Sequence, residues 1–456
     1  MSVLVQRLGL SSTGNRATWT FSAWVKKSRS VSNGDEFIFS SNTERTGGGQ
    51  YSSIYFGNDQ LRYYDYYSGS SQKYLTTNRL FRDVNGFYHI VVRVDTTQST
   101  ASDRIRFYVN GVQETSFASS AYPSQNDNSS FVNWSGADNF VGTQTNNLSG
   151  AFLGSMSHVY LCDGQSYAPT VFGSTDSTTG EWKINTSPSI TMGTNGFTIL
   201  KDGNTVTDQS SNSNDFSIGS GTLTKTEDCP SNVFATLNPL DSDLTSNPFQ
   251  YGNTKVSGQN PESAKYYCGL TLGMMGNGKY YFEAQLNVNN QGILGVCNLD
   301  ASDNPTYLRQ QNTFPGRYSS SWGYDLTDGY KFNNNNKTDY GGGTSWSAND
   351  YISFALDNTN GKMYIAKNGS WVSGGNPTNG TGGIDYSAIG DNNMFIVADN
   401  NNAGYNKFTF NFGNGSFDTT TLGTTYSPTV GDTSAKFKYN IIPTGYTALS
   451  TKGLNL

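Results

Sequence analysis

The chain contains only two histidines, and this scarcity limits the catalytic chemistry that the sequence can support. His89 and His158 both lie in apolar, strand-like runs, FYHIVVRVD and SMSHVYLCD. A catalytic zinc usually takes two or three histidine ligands, and a Ser-His-Asp triad needs one histidine at a cleft. We therefore expect neither kind of site, and we interpret both histidines as sheet residues with hydrogen-bond partners.

Carboxylates are the next candidates, because glycoside hydrolysis needs two of them facing each other across roughly 5–10 Å. Alternate residues of a strand share one face, so an E-x-D-x-E run would supply such a pair, but the sequence has none. Glu283 is alone on its predicted strand, and the adjacent Asp35 and Glu36 would point to opposite faces. We therefore predict a protein that is not an enzyme. A polysaccharide-degrading enzyme with carboxylates distant in sequence is the less favoured alternative.

Aromatic residues supply the chemistry of a binding protein, because ligand sites combine aromatic faces with a few well-placed polar groups. The densest cluster is QLRYYDYY, in which successive residues would face opposite ways, so one pair of tyrosines should belong to the core. Trp134 lies in a loop-like stretch, and three further candidates lie near predicted turns. The predicted ligand-binding or partner-binding residues are Tyr64, Tyr66, Trp134, Tyr324, Trp346 and Trp371.

Metal sites and cofactors are not expected. Asp95, Asp103 and Asp163 lie near predicted loops, but isolated carboxylates do not make the site of six to eight oxygens that Ca²⁺ requires. Four cysteines are spread along the chain, namely Cys162, Cys229, Cys268 and Cys297. They form no CxxC pair, so we interpret them as reduced structural thiols.

The composition identifies the elements that must position these residues. Among 456 residues, charged residues make up 14%, where about 25% is typical, and 51 Gly, 29 Tyr and 26 Phe are present. This mixture is typical of strands joined by turns. The net charge of −6 and the absence of a Lys/Arg stripe argue against a nucleic-acid surface. The sequence shows neither a membrane-spanning apolar run nor a signal peptide, so we expect synthesis in a cytoplasm without membrane insertion.

Period-two alternation predicts many short strands. In TWTFSAWVKK, residues 18–27, it predicts a half-buried strand. Four residues of this strand would share the buried face: Trp19, Phe21, Ala23 and Val25. The dipeptides Asn110-Gly111 and Asn368-Gly369 are strong hairpin signals. Short strands separated by turn signals, without a helical period, predict an all-β sandwich architecture.

The strand order near the start of the chain carries a family resemblance. The runs WTFSAWVK, FYHIVVRVDTT, DRIRFYVNGV and GSMSHVYLCDGQ follow one another as in laminin-G/concanavalin-like sandwiches. Residues 78–111 and 160–173 resemble the version found in structural proteins of marine tailed phages. The resemblance implies a concanavalin/LamG-like jelly roll over residues 1–175.

The rest of the chain divides into a connector and a second resemblance. Residues 176–243 are polar but retain apolar residues that need a packing partner, so we predict an ordered connector with short strands; these residues are Phe197, Ile199, Phe216 and Ile218. Within residues 244–456, the runs KYYFEAQL, ILGVCN, WGYDLTDGYKF and DYISFALDNTNGKMYIAKNGSW resemble a SPRY domain with a C-terminal extension. That family implies a β-sandwich that binds partners.

Together, the resemblances imply an all-β chain of two antiparallel β-sandwiches and a non-enzymatic phage virion surface protein. A tail-fibre or adhesion component would bind host surface glycan or receptor, whereas a capsid-decorating protein would bind the capsid lattice. A cellular lectin-like protein is a third alternative, which the missing signal peptide disfavours. The expected partners are other virion proteins, host cell-surface polysaccharide or receptor, and further copies of the chain in a trimer, without nucleic acid. The expected location is the virion surface.

Overall fold

The computed structural model describes residues 2–31, 33–46, 49–67, 72–201, 203, 205–242, 249–257, 267–274, 276–287, 292–298, 314–341, 343–390, 393–398 and 407–454. The chain divides into two compact units, Met1–Leu223 and Thr224–Leu456. The predicted connector, residues 176–243, is therefore divided between the two units. Both units are built from antiparallel sheets, as the predicted fold class requires.

The first unit contains sixteen of the described strands. They are β1 Leu4–Arg7, β2 Thr18–Lys27, β3 Asp35–Asn42, β4 Tyr51–Gly57, β5 Gln60–Tyr66, β6 Lys73–Leu80, β7 Tyr88–Asp95, β8 Ile105–Val109, β9 Val112–Gln113, β10 Phe117–Ala121, β11 Asp138–Val141, β12 Gly154–Asp163, β13 Gly173–Thr175, β14 Trp182–Ile184, β15 Phe197–Ile199 and β16 Ser217–Ser220. Short 3₁₀ turns cover Ala101–Asp103 and Pro169–Val171.

Two sheets of the first unit enclose its core. One has the order β10-β6-β5-β4-β3-β11-β1-β16, and the other has the order β15-β12-β2-β7-β8-β9. Strand β2 has the predicted bounds, and its four predicted core residues are fully buried in the main apolar cluster. The hairpin turn between β8 and β9 has left-handed φ values at Asn110 and Gly111, +48° and +79°, as its sequence predicts.

The other face of the six-stranded sheet is also covered, which corrects the prediction that β2 is half-buried. The His89 ring stacks between Trp24 and Trp182, with ring centroids 4.7 and 5.9 Å away. Trp182 Nε1 donates to His89 Nδ1 at 2.9 Å, and the β13–β14 hairpin that carries Trp182 lies on this face. Strand β2 is therefore buried on both faces.

Both histidines are buried and hydrogen-bonded, as predicted. His89 Nε2 lies 2.9 Å from Ser22 Oγ, and His158 Nδ1 lies 2.7 Å from Ser157 Oγ. Burial lowers the pKa of His89 to about 3, so its ring stays neutral at physiological pH.

The apolar residues of the predicted connector pack mostly as expected. Phe197, Ile199 and Phe216 are buried in the main cluster of the first unit. Ile218 is a correction, because it lies on the edge strand β16 with 42% of its surface exposed. All four cysteines are free thiols, and three of them are buried, in agreement with the prediction.

The described strands of the second unit number eighteen. They are β17 Leu237–Ser242, β18 Phe249–Gln250, β19 Lys255–Ser257, β20 Tyr267–Leu270, β21 Lys279–Leu286, β22 Ile293–Asn298, β23 Ser321–Asp325, β24 Tyr330–Asn333, β25 Asn336–Asp339, β26 Tyr351–Asp357, β27 Lys362–Lys367, β28 Ser370–Trp371, β29 Ile384–Asp385, β30 Asn393–Ala398, β31 Lys407–Asn411, β32 Ser416–Phe417, β33 Thr420–Thr421 and β34 Thr447–Ala448. Turns of 3₁₀ type cover Val372–Gly374 and Ser387–Ile389, and a helix, α1, covers Thr451–Leu454.

Two sheets again enclose the core of this unit. One has the order β17-β20-β30-β22-β23-β24-β25, and the other contains β18-β19-β31-β21-β26-β27-β28 with β29 and β34 attached. The C-terminal extension covers the outer face of the second sheet, where the Phe437 ring packs edge-on against Tyr281 at 4.9 Å. Strand β34 pairs in parallel with β21, so the closing residues of the unit are part of its core.

Candidate binding surface

Four tyrosines converge on the outer face of the eight-stranded sheet. The antiparallel register pairs Tyr51 of β4 with Tyr66 of β5, and Tyr64 of β5 with Tyr74 of β6. Their ring centroids lie 5.5 Å apart for Tyr51–Tyr66, 6.1 Å for Tyr51–Tyr64 and 6.0 Å for Tyr64–Tyr74. All four side chains are half-buried, so each is held by its neighbours while part of its surface stays accessible. We call this surface the tyrosine face.

Strict alternation along β5 separates the tyrosine face from the core. Tyr63 and Asp65 are buried, whereas Tyr64, Tyr66 and Tyr67 are half-buried. Of the tyrosine pair expected in the core, only Tyr63 lies there. The Tyr63 hydroxyl donates to Asp65 Oδ1 at 2.8 Å. Burial raises the pKa of Asp65 to about 6. This carboxyl group therefore supports the sheet from below rather than facing a ligand.

The hydroxyl groups of Tyr51 and Tyr64 stay protonated at physiological pH. Burial, together with the neighbouring Tyr55 and Tyr64, raises the pKa of Tyr51 to about 12, and burial also raises the pKa of Tyr64. The Tyr64 hydroxyl donates to the side-chain oxygen of Gln72. These rings offer apolar faces and hydroxyl groups, and the half-buried Arg62 shares their face of β5.

Sequence reasoning identified Tyr64 and Tyr66 but missed Tyr51 and Tyr74. Tyr51 begins the alternating run YSSIYFG, and Tyr74 follows directly after Lys73 in a run with weak alternation. A prediction of the register between β4, β5 and β6 would have found them, because cross-strand pairs share a face.

Trp134 lies at one end of the same sandwich, in the loop before β11. Its half-buried ring packs edge-on against Phe131, with centroids 5.5 Å apart. Phe131 in turn stacks on Tyr67, the residue after β5, also at 5.5 Å. Arg16 lies on the Trp134 ring, 5.6 Å from its centroid. The loop tryptophan is thus accessible and adjoins the end of the strand that carries the tyrosine face.

The predicted site residues of the second unit do not form a comparable surface. Tyr324 is 0% exposed and Trp346 is 2% exposed, and both belong to the main core cluster. Trp346 Nε1 donates to the Tyr324 hydroxyl at 3.2 Å. They are core residues, because the neighbouring turns fold over them. Trp371 is half-buried and packs edge-on near Tyr364, 6.4 Å away.

The three carboxylates considered as calcium ligands already interact with neighbouring hydrogen-bond donors of the protein. Asp95 accepts from Thr97 and Gln98, and Asp103 pairs with Arg106 at 2.6 Å. Within the described ranges, no group of three or more His, Cys, Asp or Glu side chains is arranged to hold a metal ion. Among the described residues we also find no helix with the length and apolarity that crossing a membrane requires.

Family comparisons match each unit separately. Residues 7–171 match a laminin G-type family described as the concanavalin A-like lectin/glucanases superfamily. Residues 279–414 match the SPRY domain family. The chain therefore combines a concanavalin-like domain with a SPRY domain that follows it, as the sequence resemblances implied. A comparison with curated proteins finds no match.

Three solved structures that match part of this chain are the following. The SPRY domain of human HERC1 shares 15% identity over 38% of this chain and 96% of that chain, with a TM-score of 0.29. The heptameric SAP-like pentraxin from Limulus polyphemus shares 15% identity over 36% of this chain and 71% of that chain, with a TM-score of 0.26. The Ruminococcus gnavus IT-sialidase CBM40, bound to α2,3 sialyllactose, shares 12% identity over 32% of this chain and 85% of that chain, with a TM-score of 0.24.

Proposed function

We propose that this chain is a non-enzymatic adhesion component of a phage virion surface, and that its first unit binds polysaccharide of the host cell. The observation that carries the binding proposal is the tyrosine face, a row of partly accessible aromatic rings on a concanavalin-like sheet. The phage assignment is supported by the sequence resemblance of residues 78–111 and 160–173 to marine phage structural proteins.

The geometry of the tyrosine face favours an extended chain of sugars over a compact ligand. Neighbouring rings lie 5.5–6.1 Å apart across three adjacent strands, so several sugar residues can each meet a ring. Tyrosines supply large contact area and lose little conformational freedom on binding, because they have two side-chain torsions. Their mutual packing lowers that cost further. The hydroxyl groups at the ring edges can bond to sugar hydroxyls.

The non-enzymatic proposal is supported by the burial of two carboxyl groups, one in each unit. Asp65, beneath the tyrosine face, is buried and accepts a hydrogen bond from Tyr63. Glu283, the lone strand carboxylate, is fully buried in the second unit, where it accepts from the backbone N–H groups of Lys438 and Tyr439. Neither group is placed to protonate a glycosidic oxygen.

A glycan array probed with the purified full chain tests the binding proposal. We expect binding to at least one bacterial polysaccharide, and we expect the double variant Tyr64→Ala/Tyr66→Ala to bind it about tenfold more weakly, since each aromatic contact contributes about 0.5–1.5 kcal/mol. Tyr330→Ala, a half-buried tyrosine of the second unit, is the matched control and should bind normally. Absence of glycan binding, or equal binding by the double variant, would refute the proposal.

Virion placement has its own test. An antibody raised against residues 2–173 should label the tail end of purified virions if the chain is an adhesion component. Labelling spread over the head would instead favour the capsid-decorating alternative, and no label would contradict the virion proposal.

We further propose that the chain forms a homotrimer. The mass of the purified protein in solution tests this, and a monomeric mass would contradict it.

A further inference from the structure

A polar pocket of about 680 Å³ lies at one end of the first sandwich, and no residue of the tyrosine face lines it. Its volume is within the range of small-molecule sites, roughly 300–1,000 Å³. Loops around Asn15, Thr97, Asn126, Asp163 and Thr194 form its walls. The lining consists of amides, hydroxyls, glycines, one alanine and two charged residues, without an aromatic ring. A ligand here would be held by hydrogen bonds rather than by stacking.

Asp163 holds the walls of this pocket together. Its Oδ1 accepts from the backbone N–H of Asn15 at 2.7 Å and from Asn133 Nδ2 at 3.0 Å. Its Oδ2 accepts from the backbone N–H of Asn195 at 2.9 Å. The carboxylate is thus surrounded by N–H donors from three loops, and its role in the pocket is to fix their positions.

Other polar groups of the lining are available to a ligand. Arg16 donates from Nε and Nη2 to the carbonyls of Ser130 and Ser129, at 2.5 and 2.9 Å, which fixes its guanidinium group. Among the described residues, Arg16 forms no ion pair, and the exposed side chains of Asn126 and Asn128 make no hydrogen bond. These groups supply donors and acceptors at the pocket wall.

A row of ring contacts leads from the residue after β5 to this pocket. Tyr66 ends β5, and the next residue, Tyr67, stacks on Phe131. Phe131 contacts Trp134, whose ring carries Arg16 of the pocket lining. The contacts lie at 5.5–5.6 Å and pass through Phe131, which is buried. They place Arg16 of the pocket lining near the residue that follows β5, so a polymer that lies on the tyrosine face and runs past the end of β5 could reach the pocket.

We propose that this pocket binds the terminal neutral sugar residue, a hexose or N-acetylhexosamine, of a polysaccharide whose chain lies on the tyrosine face. The proposal rests on the proposed function and adds specificity for a chain end. The positive charge of Arg16 and the negative charge of Asp163 balance within one pocket, which favours a neutral ligand. Amides and hydroxyls both donate and accept, as the hydroxyl groups of a sugar require.

Saturation-transfer NMR on the full chain tests the pocket with monosaccharides, which are too small to depend on the tyrosine face. The probes are methyl glucoside, methyl galactoside, methyl mannoside and N-acetylglucosamine, with glucuronic and N-acetylneuraminic acids as acidic comparators. We expect saturation transfer to at least one neutral probe. Asn126→Ala/Asn128→Ala should weaken that binding about tenfold, because both side chains lose their hydrogen bonds to the ligand. Tyr64→Ala/Tyr66→Ala should leave it unchanged.

Asn277→Ala, an exposed asparagine of the second unit, is the matched control and should bind the monosaccharide like the wild type. The inference is overturned if no neutral probe receives saturation, if only an acidic sugar does, or if the double asparagine variant binds normally. Loss of polysaccharide binding in Tyr64→Ala/Tyr66→Ala without any monosaccharide binding would refute the pocket and leave the proposed function intact. The reverse pattern would refute the tyrosine face alone.

Discussion

Glu283 fastens the C-terminal extension to the second unit, and its titration should be visible in the stability of that unit. Its Oε2 accepts from the Lys438 N–H at 2.8 Å and from Asn411 Nδ2 at 3.3 Å. Its Oε1 accepts from the Tyr439 N–H at 2.9 Å and from the Tyr281 hydroxyl at 3.0 Å. Burial raises the pKa of Glu283 to about 7, although these four donors favour the charged form.

The sign and size of the pH effect on stability follow from the difference between the pKa of Glu283 in the folded and in the unfolded chain. The ordinary pKa of a glutamate is 4.5, and each pKa unit corresponds to about 1.4 kcal/mol. Because the folded state binds this proton more tightly than the unfolded chain, the stabilisation is fully present below pH 4.5. It is lost as the pH rises through about 7. Between pH 4 and 8, Glu283 should therefore lower the free energy of unfolding by roughly 3 kcal/mol.

Urea unfolding of the wild type and of Glu283→Gln between pH 4 and 8 measures the contribution of Glu283 to the free energy of unfolding. A glutamine does not titrate, so the stability of the wild type relative to the variant should fall by about 3 kcal/mol. Lys438, Tyr281 and Tyr439 are present in both proteins, so their titration cancels in the difference. If the stability of the wild type relative to the variant instead grows with pH, the prediction is wrong. That result would mean that the four hydrogen-bond donors stabilise the charged carboxylate more than burial destabilises it.

Two further substitutions test buried contacts by the same measurement. Lys27→Met removes the ammonium group 2.8 Å from Asp59, where both side chains are at most 2% exposed. The unfolding free energy of the first unit should fall by about 3 kcal/mol, and a change below about 1 kcal/mol would contradict this. Gly369→Ala should cost about 1–2 kcal/mol, because φ is +85° and a Cβ would lie 2.8 Å from Tyr439. Gly423→Ala, in open space, is the control, and equal losses would contradict the reasoning.

Local signals predicted much of the fold, because they act between residues close in the chain. The alternation in TWTFSAWVKK predicted β2 with the bounds that the structure has, Thr18–Lys27. The Asn368-Gly369 turn has the predicted left-handed φ values, +47° and +85°. The alternation along β5 also separated Tyr64 and Tyr66 from the core, so half of the tyrosine face could be found from sequence.

By itself, the sequence thus determined the all-β class, the strand periodicity, the turns and the core-facing residues of β2. Tertiary structure decided whether the other face of each strand stays open to solvent, because segments distant in sequence can cover that face. The β13–β14 hairpin covers β2, and the C-terminal extension covers Glu283. Nearby turns cover Tyr324 and bury it. The register between β4 and β5 places Tyr51 on the tyrosine face. A residue's type shows what it can bind, but only the packing of remote segments decides whether a ligand can reach it.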